Sequence, residues 1–286
     1  MSTKSGRALR RRCKTGNLKR RRQFKGTNRV KILVCAKQTL DPEAPLRFTD
    51  GALALPPDDA DYFRLNPCDA QAMETALTFR EAGGGEVDVV SVGPPRAARA
   101  IRRAWAMGAD RGFHLLTAAD EFDPLAVASW LAAWARGRAY DLILTGAMSE
   151  DAMRGVVGPA LAAQLGWPCA TFAVEAKASS AGDAVVVERE IEGGFRDALE
   201  LRLPAVLTIQ TGPRPPRYPT LTALLRANQT PLAVIDAATL PRPARRQSVA
   251  RWASATKTRA GLTLTGTTAE KAERLRRILT ERGLLV

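Results

Sequence analysis

Short apolar runs alternate with amphipathic helical segments from Lys31 onward, and this alternation is the strongest constraint on the fold. Four runs have the length and composition of buried strands, at residues 32–35, 88–92, 112–116 and 141–145. Segments with helical periodicity separate them. Strands that alternate with helices imply right-handed crossovers and a mostly parallel sheet covered on both faces. The sequence therefore predicts a doubly wound α/β domain, of the adenine-nucleotide α-hydrolase-like type.

Each predicted helix has a recognisable start. Asn66-Pro67-Cys68-Asp69 offers an N-cap residue, a proline at the first helical position and an acid in the first turn. The second helix opens at Pro94-Pro95 and the third at Asp123-Pro124. The fourth follows a loop from Gly146 to Gly158. We therefore expect four helices that cross over between the strands.

Residues 184–209 change from helical periodicity to alternation of single apolar and polar residues. Leu199, Leu201 and Leu203 alternate with charged residues after a Gly193-Gly194 turn. This pattern predicts antiparallel strands, and a hairpin that extends the sheet at its edge. Beyond Gly212 the chain is rich in proline and arginine, which favours an extended excursion.

The positive charge of the chain is concentrated at its two ends. The 43 Lys and Arg residues exceed the 29 Asp and Glu residues by a formal net charge of +14, yet twelve of the basic residues precede Val30, where no acidic residue occurs. Residues 242–286 hold eleven basic and three acidic residues, so residues 31–241 are mildly acidic. Large apolar residues are scarce in residues 1–29, and we expect that extension to be disordered.

Three interpretations of residues 1–29 stay open. The segment is an incidental extension, a targeting segment, or an arm that binds an anionic partner such as nucleic acid or a membrane. A mitochondrial presequence would also carry an apolar helix face, which residues 1–29 lack. If the protein binds nucleic acid, that binding should be lost when this extension is removed.

Composition disfavours several other classes of protein. No window approaches the roughly 18 consecutive apolar residues of a membrane span, and the N-terminus lacks the apolar centre of a secretory signal, so we expect a soluble intracellular protein. The four cysteines form no CxxC pair, and the single histidine, His114, completes neither a zinc site nor a hydrolase triad. His114 lies in an apolar run, and we expect it to be a structural strand residue.

The carboxyl ends of the predicted strands define the expected ligand site. The end of the first strand at residues 35–37, the helix start at 66–69 and the loop 146–158 should meet there. Together they would form a nucleotide-sized crevice with backbone amides for phosphate and Asp69 or Asp151 for hydroxyls. Neither GxGxxG nor GxxxxGK[ST] occurs, so simple helix caps explain these segments equally well.

Five segments together resemble the β subunit of electron transfer flavoprotein. They are KILVCAK, NPCDAQAMETAL, AWAMGADRG, VEREIEGGFRDALELRLPAVLT and PRYPTLTALLRA. The similarity extends from about Lys31 to the C-terminus, and the fourth segment matches the family signature at nearly every position, with Asp197 where Glu or Gln is usual.

The resemblance implies a heterodimer that carries electrons. The α subunit would hold the redox-active FAD, and this chain would supply part of its cradle and a buried AMP. The pair would accept electrons from flavin dehydrogenases and pass them to a membrane quinone oxidoreductase, while the β subunit catalyses no reaction of its own. The location would be the cytoplasm of a bacterium or the mitochondrial matrix of a eukaryote, with no nucleic acid partner.

The resemblance also implies a division of the chain and a set of site residues. The nucleotide-fold domain would span 30–241 with a recognition loop at 213–229, and an arm at 242–286, ending in a helix from about Thr268 to Leu285, would contact the α subunit. The implied cofactor-binding residues are Cys35, Asn66, Pro67, Cys68, Asp69, Val92, Gly146, Asp151, Gly155, Val156, Val157 and Gly158.

Two further residues carry implied roles in partner binding. Leu221 occupies the position of the recognition-loop leucine that docks into a hydrophobic pocket of the dehydrogenase, and the alternative is an ordinary core leucine of the following helix. Glu190 matches a family glutamate near the domain contact, and the alternative is a cross-strand ion pair.

The loop at 146–158 departs from the family pattern. AMP-binding members read close to GKQxxDxDxNQTG, whereas this chain reads GAMSEDAMRGVVG and lacks the Lys, the Gln and the Asn-Gln-Thr donors. Asp151 and the Val157-Gly158-Pro159 ending resemble members in which a second FAD replaces AMP and electrons are bifurcated, although the rest of that pattern is missing. Family aromatics near the flavin are replaced by Pro42 and Cys68. AMP, a second FAD and no nucleotide therefore stay open.

A free-standing adenine-nucleotide-binding enzyme is the alternative from a different class. It would need its own phosphate loop and a catalytic cation near the first strand, where Lys37 is the candidate.

Overall fold

The computed structural model describes residues 11–12, 29–44, 47–49, 52–54, 62–118, 121, 123–212, 214–241, 248–251, 253 and 261–285. The chain divides into two compact units. One comprises Met1–Leu46 with Leu55–Ala250, and the other comprises Arg47–Ala54 with Arg251–Val286. The predicted disorder of residues 1–29 concerns residues that lie outside the described ones, apart from Arg11, Arg12 and Arg29.

The described strands number fourteen. They are β1 (Arg11–Arg12), β2 (Val30–Cys35), β3 (Gln38–Leu40), β4 (Arg47–Thr49), β5 (Ala52–Ala54), β6 (Phe63–Leu65), β7 (Gly85–Gly93), β8 (Arg111–Leu116), β9 (Leu142–Gly146), β10 (Cys169–Ala178), β11 (Ala184–Ile191), β12 (Phe195–Arg202), β13 (Ala205–Ile209) and β14 (Ala233–Asp236).

The described α-helices number six. They are α1 (Pro67–Gly83), α2 (Ala98–Met107), α3 (Pro124–Ala135), α4 (Val157–Leu165), α5 (Leu221–Gln229) and α6 (Thr268–Glu281).

One large sheet organises the first unit, in the order β1-β12-β11-β10-β13-β9-β2-β7-β8-β14. The run from β10 through β13, β9, β2, β7 and β8 to β14 is parallel, and β11 is antiparallel to both of its neighbours. The predicted mostly parallel α/β sheet with an antiparallel hairpin is therefore confirmed.

Successive residues of β2 point to opposite faces of the sheet, and each face is covered by helices. Ile32 and Val34 pack into a core cluster with residues of α1 and α2. Leu33 and Cys35 pack into a second cluster with residues of α3 and α4. The strand is buried on both faces, which is why its sequence is continuously apolar rather than alternating.

The predicted helix starts are observed with one difference in how they are capped. Asp123 caps α3, since its carboxylate accepts the Leu125 amide hydrogen at 3.0 Å. Asn66 occupies the N-cap position of α1, but its side chain makes no capping hydrogen bond. It reaches instead to the loop after β9, which gives this residue a role in the site described below.

The prediction of antiparallel strands throughout residues 184–209 is wrong at its C-terminal end. β11 and β12 form the expected hairpin, but β13 is fully buried and lies parallel to β9 and β10 in the middle of the sheet. Burial on both faces removes the alternation that marks an antiparallel strand with one exposed face.

The proline-rich excursion after Gly212 returns to the opposite edge of the sheet. The chain enters α5 and then β14, which pairs in parallel with β8. β8 contains His114, which is buried and whose Nε2 donates to the Gly93 carbonyl oxygen at 2.9 Å. The expected structural role of His114 is consistent with this position, and burial lowers the pKa of its imidazole.

The second unit contains the hairpin β4–β5 and the helix α6. Thr267 and Glu270 form a capping box at the start of α6, because the side chain of each accepts the backbone amide hydrogen of the other. The leucine side chains at 275, 284 and 285 are exposed.

Within the described part of the chain, no helix combines the length and the apolar character that crossing a membrane requires. The same residues contain no cluster of three or more His, Cys, Asp or Glu side chains suited to a metal ion.

Candidate functional site

The carboxyl ends of β2 and β9 are joined by a single buried carboxylate. Asp69, in the first turn of α1, accepts the Lys37 amide hydrogen at 2.7 Å and the Gly146 amide hydrogen at 2.7 Å. Its burial raises the pKa of the carboxyl to about 6, while the two amide hydrogen bonds and Lys37 act in the opposite direction. Asp69 therefore faces the protein interior and fixes the two loops, rather than facing a ligand hydroxyl.

Asn66 holds the same loop from its other side. Its Nδ2 donates to the Met148 carbonyl oxygen at 3.0 Å, and its Oδ1 accepts the Glu150 amide hydrogen at 3.2 Å. The side chain is buried, and the loop backbone provides a hydrogen-bond partner for each of its two polar atoms. The helix start at Pro67 thus sets the path of the loop after β9.

Ion pairs cross the mouth of the predicted crevice. Lys37 Nζ lies 2.6 Å from Asp151 Oδ1 and 3.2 Å from Ser149 Oγ. Arg64 Nη2 lies 2.8 Å from Glu150 Oε2, and Arg64 Nη1 lies 3.2 Å from Asp41. The hydrogen bond from Glu150 raises the pKa of Arg64. We name this set of five charged residues the loop clamp: Lys37, Asp41, Arg64, Glu150 and Asp151.

The loop ends in a close approach between α4 and the sheet. Gly155 has a φ of +62°, and Val156 and Val157 carry the chain into the helix. A Cβ on Gly158 would collide with the Thr208 side chain and lie 2.8 Å from Thr145 Oγ1. Only glycine fits there, so the N-terminal turn of α4 lies directly against β9 and β13.

Burial acts on the thiols of both cysteines near the site. Burial raises the pKa of the Cys35 thiol, with Asp69 adding to the effect, and burial also raises the pKa of Cys68. Cys35 ends β2 inside the core, and Cys68 lies beside Gly146, where a Cβ on the glycine would be 2.8 Å from the Cys68 Cβ. Val92 packs against the second core cluster.

The predicted site residues are therefore brought together in part. Lys37, Asn66, Asp69, Gly146 and Asp151 form one connected set. The sequence alone does not indicate the other three members of the loop clamp, Asp41, Arg64 and Glu150. Ion pairs between residues 86 positions apart leave no local signal in a sequence.

Leu221 lies away from this crevice, at the first position of α5. Its side chain is 73% exposed, and that of Leu225 is 55% exposed. An ordinary core leucine would be buried, so this exposure argues against the core alternative and leaves Leu221 available to a partner.

Glu190 lies on β11 opposite Arg196 of β12. Its carboxylate accepts a hydrogen bond from Gln210 Nε2 at 3.2 Å, whereas Arg196 pairs with Glu188 at 3.7 Å. The cross-strand ion pair proposed as the alternative role of Glu190 is thus made by Glu188.

The mostly parallel sheet with helices on both faces defines the protein as an α/β domain, with an exposed leucine at the start of α5. A family model for the electron transfer flavoprotein domain matches residues 58–240. The chain belongs to the electron transfer flavoprotein family.

Three of its relatives are named electron transfer flavoprotein subunit beta. An electron transfer flavoprotein subunit beta of Syntrophomonas wolfei is 38% identical over 212 residues, which cover 73% of this chain and 81% of that protein. The subunit beta of Sus scrofa is 36% identical over 215 residues, covering 74% and 83%. The subunit beta of Bacillus subtilis is 31% identical over 209 residues, covering 72% and 79%.

Proposed function

We propose that this chain is the β subunit of a heterodimeric electron transfer flavoprotein. It pairs with an α subunit that carries FAD, accepts electrons from flavin dehydrogenases and passes them toward a membrane quinone oxidoreductase, and it transforms no substrate itself. Membership of the family supports the pairing. The observation that carries the proposal is the exposed Leu221 at the position of the family's docking leucine.

The redox-active FAD is held mainly by the α subunit, and this chain contributes an edge of its cradle. Pro42 is exposed and Cys68 is half-buried, which leaves both able to contact a cofactor bound by a second chain. The bound flavin supplies the electron-carrying chemistry. The Cys68 thiol stays protonated at neutral pH because burial raises its pKa, so it would shield the flavin as a neutral group.

The loop from Gly146 to Gly158 fits AMP poorly. A phosphate group needs cationic or amide donors, and this loop carries alanine, methionine, glycine and valine where AMP-binding members carry Lys, Gln and Asn-Gln-Thr. Two cations beside the loop, Lys37 and Arg64, are paired with Asp151 and Glu150. We propose that the loop clamp takes the structural place of a nucleotide in this chain.

Identification of the bound cofactors tests this proposal. The chain is co-expressed with its α subunit, and the purified heterodimer is denatured so that released nucleotides can be separated by chromatography. We expect one FAD and no AMP per heterodimer. One AMP would contradict the role of the loop clamp, and two FAD molecules would instead support the bifurcating type.

The proposed docking through Leu221 is driven by burial of its apolar side chain. A leucine side chain that moves from water into a hydrophobic pocket contributes about 1.5–3 kcal/mol. That energy anchors a transient partner without fixing it permanently, which suits a carrier that must leave one protein for the next.

The Leu221→Ala variant tests the docking role. We expect the KM for the donor dehydrogenase to rise about tenfold or more, since about 1.4 kcal/mol corresponds to a factor of ten. Flavin content and the heterodimer should be unchanged. Val234→Ala is the matched control, because Val234 is also an exposed apolar residue, at 55%, but lies on the edge strand β14. If the two variants have the same KM for the donor dehydrogenase, Leu221 is not part of the docking surface.

The arm at 242–286 is proposed to contact the α subunit. The exposed leucines of its described part, at 262, 275, 284 and 285, support a role in binding a second chain. Deletion of residues 261–286 should abolish co-purification with the α subunit, whereas an unchanged yield of heterodimer would contradict the proposal. We place the heterodimer in the bacterial cytoplasm, or in the mitochondrial matrix if the source is eukaryotic, and expect no nucleic acid partner.

A further inference from the structure

The segment that leads to Leu221 has no regular secondary structure, yet it is fastened to α1. Arg217 donates from its backbone amide to Glu74 Oε2 at 3.0 Å and from Nε to the same oxygen at 2.8 Å. Its Nη2 donates to Glu74 Oε1 at 2.9 Å, so both carboxylate oxygens are engaged. Nη1 also donates to Glu81 Oε1 at 2.7 Å, about two helical turns further along α1.

The geometry of this contact is that of a strong ion pair. The guanidinium and the carboxylate meet through two parallel hydrogen bonds, and a third comes from the backbone. The Glu74 side chain is only 11% exposed, and the hydrogen bonds from Arg217 lower the pKa of its carboxyl. The pair is therefore shielded from solvent more than an ordinary surface ion pair.

Other contacts fix the segment on either side of Arg217. Gln71 Nε2 donates to the Arg214 carbonyl oxygen at 2.9 Å. The Arg103 guanidinium of α2 lies 4.2 Å from the centre of the Tyr218 ring. Pro219 is buried. The chain from 214 to 219 is thus held against two helices of the first unit.

The start of the docking helix is set by the same run of residues. Thr220 caps α5, since its Oγ1 accepts the Ala223 amide hydrogen at 3.2 Å. Leu221 follows immediately, so its side chain is presented from the first position of the helix. At the far end, Arg102 donates to the carbonyl oxygens of Ala227 and Thr230.

We propose that Arg217 is a positioning residue for partner recognition: its ion pair with Glu74 holds the 214–220 segment so that Leu221 is preorganised for the dehydrogenase. This inference rests on the proposed docking role of Leu221. A preorganised segment avoids the entropy that a mobile one loses on binding, so the ion pair acts on affinity without touching the partner.

A double-mutant cycle tests the proposal. We expect Arg217→Gln to raise the KM for the donor dehydrogenase about fivefold to tenfold, with kcat within twofold and with flavin content and heterodimer unchanged. Because Arg217 acts through Leu221, adding Arg217→Gln to Leu221→Ala should raise KM little further. Arg217→Lys should behave like Arg217→Gln, since an ammonium cannot make the two parallel hydrogen bonds.

Arg214→Gln is the matched control. It removes the same charge from the same segment, but Arg214 makes its hydrogen bond with α1 through its backbone carbonyl and acts on Glu74 only through the field of its charge, so KM should rise much less than in Arg217→Gln. Hydrogen exchange of the 214–221 amides should increase in Arg217→Gln and not in Arg214→Gln.

The outcomes separate this inference from the docking proposal. If Leu221→Ala raises KM but Arg217→Gln does not, the positioning role is wrong and the docking role stands. If the two effects multiply in the double variant, Arg217 acts independently of Leu221 and the positioning role is again wrong. If neither single variant changes KM, both are wrong.

Discussion

The carboxylate of Asp69 accepts the amide hydrogen of Gly146 at 2.7 Å, although the two residues are 77 positions apart in the chain. The second carboxylate oxygen accepts the Lys37 amide hydrogen. Both amides would otherwise need hydrogen bonds to water. The buried carboxylate accepts a hydrogen bond from each of them instead. It therefore fixes the loops after β2 and β9 together, and the loop clamp forms only because both loops are held in place.

Asp69→Asn should destabilise the protein by about 2–4 kcal/mol. The asparagine can accept only one of the two amide hydrogens and turns its own donor toward the other, and hydrogen bonds to charged groups are worth about 1.5–3 kcal/mol each. Chemical denaturation measures the loss. Asp183→Asn is the control, because Asp183 is exposed in a turn, and its effect should stay within about 0.5 kcal/mol. Equal stabilities of the two variants would contradict the role of Asp69.

The elements that could be predicted from sequence are those with a local signal. The helix starts at Pro67 and Pro124 and the buried strand β2 follow from residue order alone, because caps and apolar runs are contiguous. The sequence predicts the wrong direction for β13 and does not predict β14, since a strand of four or five residues carries no information about its neighbours in the sheet.

The site could be predicted only in outline. The parallel sheet predicts that the loops after β2 and β9 meet the start of α1, and Asp69 joins all three. The bond between Arg217 and Glu74 joins residues 143 positions apart, and no periodicity or motif indicates it. The inward orientation of Asp69 likewise depends on loops that only the folded chain brings together.

Gly158→Ala should destabilise the protein by about 1–3 kcal/mol. The added methyl group would overlap the Thr208 side chain and approach Thr145 Oγ1 to 2.8 Å, so α4 would have to move away from the sheet. Thermal unfolding detects this as a lowered midpoint. Gly261→Ala serves for comparison, because a Cβ there would have no described atom within 4 Å. An unchanged midpoint for Gly158→Ala would show that the close approach is not required.

His114 should make the protein less stable as the pH falls. Burial lowers the pKa of the folded imidazole from its ordinary 6.5. Below pH 6.5 the unfolded chain therefore binds a proton that the folded chain does not, and unfolding is favoured. The free energy of unfolding is therefore unaffected by this group above pH 6.5, where the imidazole is neutral in both states. It decreases as the pH falls below 6.5.

The His114→Gln variant isolates this effect, because the chain has one histidine. The glutamine amide can still donate to the Gly93 carbonyl but does not titrate. We expect the free-energy difference between the native protein and the variant to shrink between pH 7.5 and 5.5 in urea denaturation. A difference that is constant over this range would contradict the lowered pKa.

The loop clamp should contribute stability that depends on salt. Lys37 and Asp151 are partly exposed, and ion pairs of this kind are worth up to about 1 kcal/mol. A double-mutant cycle of Lys37→Ala and Asp151→Ala, measured by urea denaturation, should therefore give a coupling energy of about 0.5–1 kcal/mol in 20 mM salt. In 1 M salt the coupling should fall, because the Debye length shortens to about 3 Å.

The pair of Lys177 and Glu175 provides the control for this cycle. Their Nζ and Oε1 atoms lie 2.8 Å apart, but both side chains are more exposed than those of the Lys37 pair. Solvent screens such a pair more strongly, so its coupling should be smaller at both salt concentrations. If the two cycles give equal couplings, Lys37 and Asp151 form an ordinary surface pair that adds nothing particular to the hold on the loop after β9.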